Sequence, residues 1–313
     1  MSTVKAAIVN EWGVVPQYTD IPAPPNPSAD EVQIRTIAAG THRLVRGRVA
    51  GKHFSATTLP HIPGSDGVGR TIPDGKLVYF TTFWQKGSFV EVVNVAKREV
   101  TPIPEDSDTV QIAGLANPAL SSWMAIKART SNLPAKFSVL VLGATTISGA
   151  VLSHIARMLG AGKVLGAARN VKAIEALGYD GAVELKSDPT ETDYTLAEDV
   201  DLILDYIYGP PTLQLFKALK PTKPVQYVQI GTLASTTMDL PGDLLRAKDI
   251  TIRGAAPGSY SMQILAQELP KMLEALKDLP KQDLKVVPLS EVQTQWADEK
   301  NRLVFTVGKD ISF

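Results

Sequence analysis

The sequence of 313 residues contains no cysteine. Disulfides, cysteine-rich zinc sites, iron–sulfur clusters and thiol nucleophiles are therefore excluded. The chain also lacks a charge excess of either sign, because 32 Lys and Arg balance 32 Asp and Glu. A net charge of zero removes the usual electrostatic footprint of a protein that binds nucleic acid or an anionic membrane, so we expect neither partner.

Long hydrophobic runs are missing as well. No apolar stretch approaches the roughly 18 residues that a membrane span needs. No basic segment followed by an apolar one opens the chain in the manner of a secretory signal. A cytoplasmic location is the resulting expectation. What is present is an ordinary globular composition, 44% hydrophobic and 20% charged, in a chain long enough for two domains or one large one.

The first third of the chain is rich in short predicted strands. Alternating, β-branched runs occupy residues 4–10 and 31–38, with a proline-rich stretch at 22–27 between them. Further short runs follow as far as Ile103, separated by turn signals. Many short strands at close intervals predict a barrel or sandwich-like domain.

From residue 137 the pattern changes to apolar strands that alternate with amphipathic helices. The continuous apolar runs lie at residues 138–142, 163–167, 200–206, 225–230 and 250–254. Strands of this kind predict parallel β-α-β units, in which helices cover both faces of the sheet. The tail returns to strand-like runs at 285–288 and 302–307.

The strongest local motif is a glycine-bearing turn after the first of these apolar strands. It reads Gly143-Ala144-Thr145-Thr146-Ile147-Ser148-Gly149 and leads into a predicted helix. Such a turn places backbone N–H groups and a helix N-terminus against a pyrophosphate. Ala144 and Thr146 stand where a fuller fingerprint has glycine, and strand-to-helix turns favour Gly and Thr for geometric reasons alone. The turn alone is thus a weak signal. The strand before it and the helix after it supply the β-α-β context that the dinucleotide interpretation requires.

The end of the second apolar strand predicts which dinucleotide binds. A site that prefers NAD places Asp or Glu there, but this chain has Arg169 and Asn170, with Lys172 close behind. A guanidinium can form a bidentate contact with a 2′-phosphate, so we expect NADP(H). The alternative is that Arg169 is only a solvated charge at a strand end.

Several motifs, in their order and spacing over nearly the whole chain, resemble the medium-chain dehydrogenase/reductase superfamily, specifically its zinc-free quinone-oxidoreductase-like branch. They are residues 5–9 (KAAIV), 62–70 (IPGSDGVGR), 74–80 (DGKLVYF), 117–123 (NPALSSW), the glycine-bearing turn, and 229–231 (QIG). Zinc-dependent members carry Gly-His-Glu where this chain has Gly64-Ser65-Asp66, together with cysteine ligands that are absent here. The spacings of His42, His53 and His61 also fit no ligand motif, so no metal is expected.

The resemblance implies an α/β fold in three segments. A GroES-like β-barrel catalytic domain is expected over residues 1–117, a Rossmann NADPH-binding domain with a doubly wound parallel sheet over 118–260, and a segment at 261–313 that returns to the catalytic domain. It further implies hydride transfer from NADPH to a quinone or an α,β-unsaturated carbonyl (an enone or enal), and a homodimer formed by pairing of Rossmann edge strands. The resemblance also implies cofactor contacts, with Tyr206 on the adenosine side and with the following residues beside the nicotinamide: Gly231, Thr232, Leu233, Gly254 and Ala255.

The proton donor and the substrate pocket are less clearly marked. Some enoyl reductases of the family place a Tyr shortly after a Gly where this chain reads Gly51-Lys52-His53-Phe54, and the common Asn-Pro dipeptide is altered to Thr41-His42. His53 is the candidate proton donor, with water as the alternative. Aromatic side chains could stack on a flat quinone or enone, or could equally form barrel core. The pocket candidates are Thr41, Phe83, Trp84 and Trp123.

A second functional class remains open. The chain could be an NADPH-binding regulatory or crystallin-like protein with weak or no catalysis. Thr146 in the phosphate turn and the missing Tyr motivate this alternative. A zinc alcohol dehydrogenase is excluded by the missing ligands.

Overall fold

The computed structural model describes residues 2–53, 55–82 and 86–308. The chain divides into two compact units, one of Met1–Asn117 with Leu273–Phe313 and the other of Pro118–Met272. It therefore returns to the first unit at Leu273, whereas the return was expected at residue 261. The intervening residues belong to the second unit, where the indole N–H of Trp123 donates to Glu268 Oε2 at 2.9 Å.

The described residues form strands and helices that are numbered in chain order. The strands are β1 (Thr3–Ile8), β2 (Gln17–Pro22), β3 (Glu31–Gly40), β4 (Asp66–Ile72), β5 (Leu77–Thr81), β6 (Val92–Ala96), β7 (Val100–Pro102), β8 (Ser138–Leu142), β9 (Lys163–Ala168), β10 (Gly181–Glu184), β11 (Leu202–Asp205), β12 (Val225–Gln229), β13 (Ile250–Gly254), β14 (Lys285–Pro288) and β15 (Leu303–Thr306). The α-helices are α1 (Arg43–Val49), α2 (Thr109–Arg129), α3 (Ile147–Met158), α4 (Val171–Ala176), α5 (Pro210–Ala218), α6 (Gly242–Ala247), α7 (Met262–Ala275) and α8 (Val292–Gln295).

The first unit is built on a seven-stranded sheet. Six strands lie in the order β14-β15-β3-β4-β5-β7, and β6 pairs with β3 beside them. Neighbours are antiparallel except β14 and β15, which are parallel. Strands from both ends of the chain thus meet on β3, and the rings of Phe89 and Phe305 pack edge to face at 5.2 Å in the core beneath them.

The second unit is built on a six-stranded parallel sheet in the order β10-β9-β8-β11-β12-β13. Val139 and Val141 on β8 face one hydrophobic core, while Leu140 and Leu142 face another. Both faces of the strand are therefore buried, which explains its continuous apolar run. The order is that of a doubly wound Rossmann sheet. The predicted α/β fold class, with a Rossmann sheet and a separate sheet-bearing domain, is confirmed.

One row of paired residues crosses the second sheet at its carboxyl edge. Leu142 is the partner of Asp205, Asp205 of Gln229, and Gln229 of Gly254. On the other side of β8, Leu142 pairs with Ala167. The segments that follow these strands therefore emerge together at the point where strand order reverses, which is where open α/β sheets bind ligands.

Among the described residues, no helix is both long enough and apolar enough to cross a membrane.

Candidate cofactor and active site

The turn between β8 and α3 can be formed only with glycine at two positions. Gly143 has φ of +90°, which side-chain-bearing residues rarely adopt. A Cβ on Gly149 would lie 2.4 Å from the Gly143 carbonyl oxygen, so glycine is also what lets α3 pack against the turn. These are the roles that the first and last glycines play in a dinucleotide fingerprint.

The same turn leaves backbone donors free. Gly143 and Ala144 donate their N–H groups to Ala167 O at 2.9 and 3.1 Å. Thr146 caps α3, because its hydroxyl oxygen accepts from Gly149 N at 3.1 Å. The remaining N–H groups, those of Thr145, Ile147 and Ser148, have no acceptor among the described residues. Three free amides at a helix N-terminus fit a pyrophosphate.

Cationic side chains follow the end of β9. Arg169 and Lys172 are exposed, and among the described residues neither makes an ion pair or side-chain hydrogen bond. Asn170 caps α4, since its side-chain oxygen accepts from Ala173 N at 3.1 Å. The residues predicted to bind the 2′-phosphate thus include two unengaged charges and one capping amide, whose NH₂ group stays available as a donor.

Tyr206 lies between the two glycine turns of the predicted cofactor site. A Cβ on Gly143 would come within 3.2 Å of the Tyr206 Cβ, and one on Gly231 within 2.5 Å of the Tyr206 carbonyl oxygen. The phenol is buried and shares a 2.7 Å hydrogen bond with Ser122 Oγ, and burial raises the pKa of Tyr206 to about 12. Its backbone therefore shapes the edge of the site, and its hydroxyl is engaged inside the protein. Ser122 as its partner was not foreseen from the sequence.

The predicted nicotinamide segments meet at the same edge. Gln229 Nε2 donates to Gly231 O at 2.8 Å, and Gln229 O accepts from Ala255 N at 2.8 Å. Arg129 Nε donates to Gly254 O at 2.7 Å. The structure thus brings the turns after β12 and β13 together, while Thr232 and Leu233 between them are exposed.

Asp205 at the end of β11 holds this edge together through its hydrogen bonds, and it was not predicted from the sequence. It is fully buried, and its Oδ1 accepts from the N–H groups of Ile207 and Tyr208 at 2.7 and 2.9 Å. Its carbonyl oxygen accepts from Ile230 N and Gly231 N. Burial raises the pKa of the Asp205 carboxyl despite these donors. An acid at the end of an otherwise apolar strand was the only sequence signal.

The first unit contains a buried polar cluster around Asp66, which is 1% exposed. His42 Nε2 lies 2.9 Å from Asp66 Oδ1 and 3.0 Å from Ser65 Oγ. The Ser65 hydroxyl donates to Asp66 Oδ1 at 2.9 Å, and the Tyr79 hydroxyl donates to Asp66 Oδ2 at 3.0 Å. The Tyr79 ring is fully buried, and burial raises the pKa of its phenol well above the ordinary value. Its bond to Asp66 was not foreseen.

The predicted proton donor His53 lies in a different environment. Its Nδ1 accepts from Ser55 N at 3.2 Å and lies 2.7 Å from Ser55 Oγ. Burial first, and then the charge of Arg48, lower the pKa of His53. Both effects favour the neutral ring.

The predicted pocket residues lie in different parts of the chain. Thr41 is buried in the first unit and its hydroxyl has no partner among the described residues. Trp123 is buried in the second unit, 6% exposed and bonded to Glu268. Phe83 and Trp84 lie outside the described residues. Within residues 2–53, 55–82 and 86–308, no three His, Asp or Glu side chains gather as a metal site would require.

The chain is similar to known reductases over most of its length, although no family model matches it. A curated protein of Emericella nidulans named "Probable NADPH-dependent quinone reductase tdiC" is 32% identical over 95% of this chain and 97% of that protein. A "Trans-enoyl reductase pgmF" of Aspergillus terreus is 23% identical over 71% of this chain and 68% of that protein. A solved quinone oxidoreductase of Pseudomonas syringae has the same fold, with a TM-score of 0.80 at 18% identity over 97% of this chain and 99% of that one.

Proposed function

Because the chain belongs to the medium-chain dehydrogenase/reductase superfamily, in its quinone-oxidoreductase branch, we propose that it uses NADPH to reduce a quinone or an α,β-unsaturated carbonyl compound without zinc. The chain is an oxidoreductase with a nicotinamide cofactor. The choice of NADPH, the substrate class and the independence from metal are the parts that we propose.

The observation that supports this proposal most is the turn Gly143–Gly149 with its free N–H groups. NADPH, when bound, supplies the hydride. Thr145, Ile147 and Ser148 would hold the pyrophosphate through their amides, and Arg169 with Lys172 would hold the 2′-phosphate. Gly231, Thr232, Leu233, Gly254 and Ala255 would border the nicotinamide.

The proposal of zinc independence rests on the side chains around Gly64. Ser65 and Asp66 are engaged with one another and with His42, and no cysteine exists to complete a zinc ligand set. Polarisation of the substrate carbonyl would then depend on hydrogen bonds from the protein.

Turnover with a panel of acceptors tests the function. NADPH oxidation by the purified chain should be faster with at least one simple quinone or enal than with NADPH alone. NADPH binding is measured in parallel by its fluorescence. Tight binding without turnover on any acceptor would favour the regulatory or crystallin-like alternative.

The cofactor preference has its own test in Arg169→Ala. Loss of a charge-assisted contact should weaken NADPH binding about 10- to 100-fold and change NADH binding little. Arg246→Ala is the matched control, because this arginine of α6 is exposed in the same unit. Equal losses for the two cofactors would show that Arg169 does not read the 2′-phosphate.

We further propose a homodimer formed through β13. This strand is at the edge of the six-stranded sheet, and Ile252 within it is 43% exposed. An exposed apolar edge strand is a template for pairing with another chain. Size-exclusion chromatography with light scattering should give a dimer, and Ile252→Lys should shift it towards monomer. Ile264→Lys, on an exposed position of α7, should leave the dimer intact. A monomeric unmodified chain would contradict this proposal.

A further inference from the structure

Four side-chain hydroxyls of the second unit meet beside the turn between β8 and α3. Ser121 Oγ lies 3.3 Å from Ser148 Oγ, and Ser122 Oγ lies 2.7 Å from the Tyr206 hydroxyl. The hydroxyls of Ser121 and Ser122 both donate to Pro118 O, at 2.8 and 3.2 Å. We infer that Ser121 on α2 is a positioning residue for the cofactor, because it holds the Ser148 hydroxyl as a further donor to the pyrophosphate. This inference rests on the proposed binding of NADPH.

Ser148 carries two donors at the same point of the turn. It is the second residue of α3, and its backbone N–H is one of the free amides of the turn. Its side chain is half-buried, and among the described residues the partner of its hydroxyl is Ser121 Oγ. A serine hydroxyl lies on the Cβ next to its own backbone, and serine hydroxyls are common donors to phosphate oxygens. The hydroxyl can therefore serve the anion that the amide serves.

The other two hydroxyls of the turn are held differently. Thr145 is exposed, and its side chain makes no hydrogen bond to any described residue. Thr146 Oγ1 accepts from Gly149 N at 3.1 Å and is thereby placed as the cap of α3. Ser148 is the hydroxyl of this turn that a second helix orients, through Ser121 of α2. A donor that is already oriented loses less side-chain freedom when the ligand binds.

The number of protons fixes the direction of the Ser121–Ser148 hydrogen bond once an anion is bound. Each hydroxyl has a single proton to donate, and the ionised oxygens of a pyrophosphate only accept. Ser148 must then donate outward to the anion and accept from Ser121. Ser121 in turn must give up Pro118 O as its acceptor. That carbonyl keeps the hydroxyl of Ser122 as a donor, at 3.2 Å.

Tyr206 keeps the Ser122 proton directed at this carbonyl. Burial raises the pKa of Tyr206 to about 12, so the phenol retains its proton at neutral pH. Ser122 Oγ, which is fully buried, lies at 2.7 Å to accept that proton, and its own proton then goes to Pro118 O. A buried hydroxyl proton without an acceptor would be costly. The buried pair thus leaves the proton of Ser121 available to Ser148.

A double-mutant cycle on NADPH binding tests the inference. Ser148→Ala removes a donor to an ionised group and should weaken binding about 10- to 100-fold. Ser121→Ala removes only the residue that orients this donor and should weaken binding about 3- to 10-fold. In the Ser148→Ala background, Ser121→Ala should cause no further loss, because the hydroxyl that it orients is already gone. Titration of NADPH fluorescence measures all four chains without any need for turnover.

Ser153→Ala is the matched control for the loss of a serine hydroxyl. Ser153 lies on α3 in the same unit, and its hydroxyl donates to Leu177 O at 2.8 Å, the distance from Ser121 Oγ to Pro118 O. It makes no contact with Ser148 through a hydrogen bond. NADPH binding by Ser153→Ala should equal that of the unmodified chain. A loss as large as that of Ser121→Ala would overturn the inference, since any lost serine bond would then have the same effect.

A ligand without a pyrophosphate gives a second readout. Adenosine 2′-monophosphate carries the 2′-phosphate alone, and its affinity is measured by displacement of NADPH. Ser121→Ala and Ser148→Ala should leave this affinity unchanged, whereas Arg169→Ala should weaken it. A parallel loss of the fragment in the two serine variants would overturn the inference, because the serines would then support the site as a whole rather than its pyrophosphate contacts.

The outcomes separate this inference from the proposed function. If Ser121→Ala weakens NADPH binding equally with and without the Ser148 hydroxyl, the positioning role is overturned while NADPH binding and the reductase proposal stand. If the unmodified chain does not bind NADPH, both proposals are overturned.

Discussion

Each unit holds a buried aspartate around which its candidate site is arranged, but the two carboxylates act on different partners. Asp205 accepts from the backbone N–H groups of Ile207 and Tyr208, together with two hydroxyls. Asp66 accepts from side chains alone among its described partners, namely His42 and two hydroxyls. The first carboxylate fixes the path of a main chain, and the second fixes the direction of an imidazole. A site built from the main chain should be disturbed most by side-chain atoms added where the backbone is closely packed. A site built from side chains should be disturbed most by the loss of single polar atoms.

The largest effect is expected at Gly149, where neighbouring backbone atoms leave no room for a side chain. Gly149→Ala places a Cβ 2.4 Å from Gly143 O and 2.6 Å from Ala144 O, both backbone atoms of the phosphate turn. We expect the free energy of unfolding to fall by about 3 kcal/mol and NADPH binding to weaken more than about 100-fold. Urea unfolding and fluorescence titration measure these changes.

The matched control for that change is Gly242→Ala in α6. Its Cβ would meet only the flexible end of Arg246, at 3.4 Å. Stability within about 0.5 kcal/mol of the unmodified chain is expected. Equal effects of the two alanines would contradict the view that the phosphate turn depends on the absence of a side chain at Gly149.

The second effect concerns the carboxylate that organises the main chain. Asp205→Asn replaces an acceptor oxygen by an NH₂ group in a fully buried position surrounded by donors. The free energy of unfolding should fall by about 2–3 kcal/mol, because at least one buried donor loses its acceptor. Asp193→Asn is the control, an exposed acid that caps its own turn through Thr195. An unchanged free energy of unfolding in Asp205→Asn would contradict the view that this carboxylate organises the main chain.

The two sites differ in how far the sequence predicted them. In the second unit, the glycine turn lies in one continuous segment, so Gly143 and Gly149 could be found from their spacing. Parallel strand order then brought Tyr206, Gly231 and Gly254 to the same edge without any further information. Whether the predicted residues bind NADPH stays a prediction.

The first unit shows why the rest could not be predicted. Asp66 meets His42 and Tyr79 across 24 and 13 residues of chain, through pairing of β3, β4 and β5. No spacing rule along one strand joins residues so far apart, and a tyrosine in a buried strand is the ordinary pattern for core. The pairing of three strands, rather than any local motif, creates the cluster.

The third effect tests the side-chain cluster by removal of one atom. Tyr79→Phe keeps the buried ring and deletes the hydroxyl that donates to Asp66 Oδ2. The free energy of unfolding should fall by about 1.5 kcal/mol, the lower end of the range for a hydrogen bond to a charged group. Tyr18→Phe in the same unit is the control, because the Tyr18 hydroxyl makes no hydrogen bond to any described residue. NADPH binding should be unchanged in both variants, and a loss of binding in Tyr79→Phe would contradict the separation of the two sites.

The smallest effect is a pH dependence of the first unit. Nε2 of His61 is buried without a partner among the described residues, and burial followed by the charge of Arg48 lowers the pKa of His61 to about 4. The unfolded chain binds a proton below its ordinary value of 6.5, while the folded chain resists it. Protons therefore favour unfolding as pH falls from about 6.5 to about 4. His61→Gln should lack this part of the acid sensitivity, about 1 kcal/mol after allowance for solvent screening of a partly exposed ring. Urea unfolding of the unmodified chain and of His61→Gln, each at neutral pH and near pH 4.5, measures the difference. If the free energy of unfolding changes equally with pH in the unmodified chain and in His61→Gln, the first unit must accommodate a proton on this ring. In the first unit, sensitivity to single polar atoms would then be confined to the cluster around Asp66.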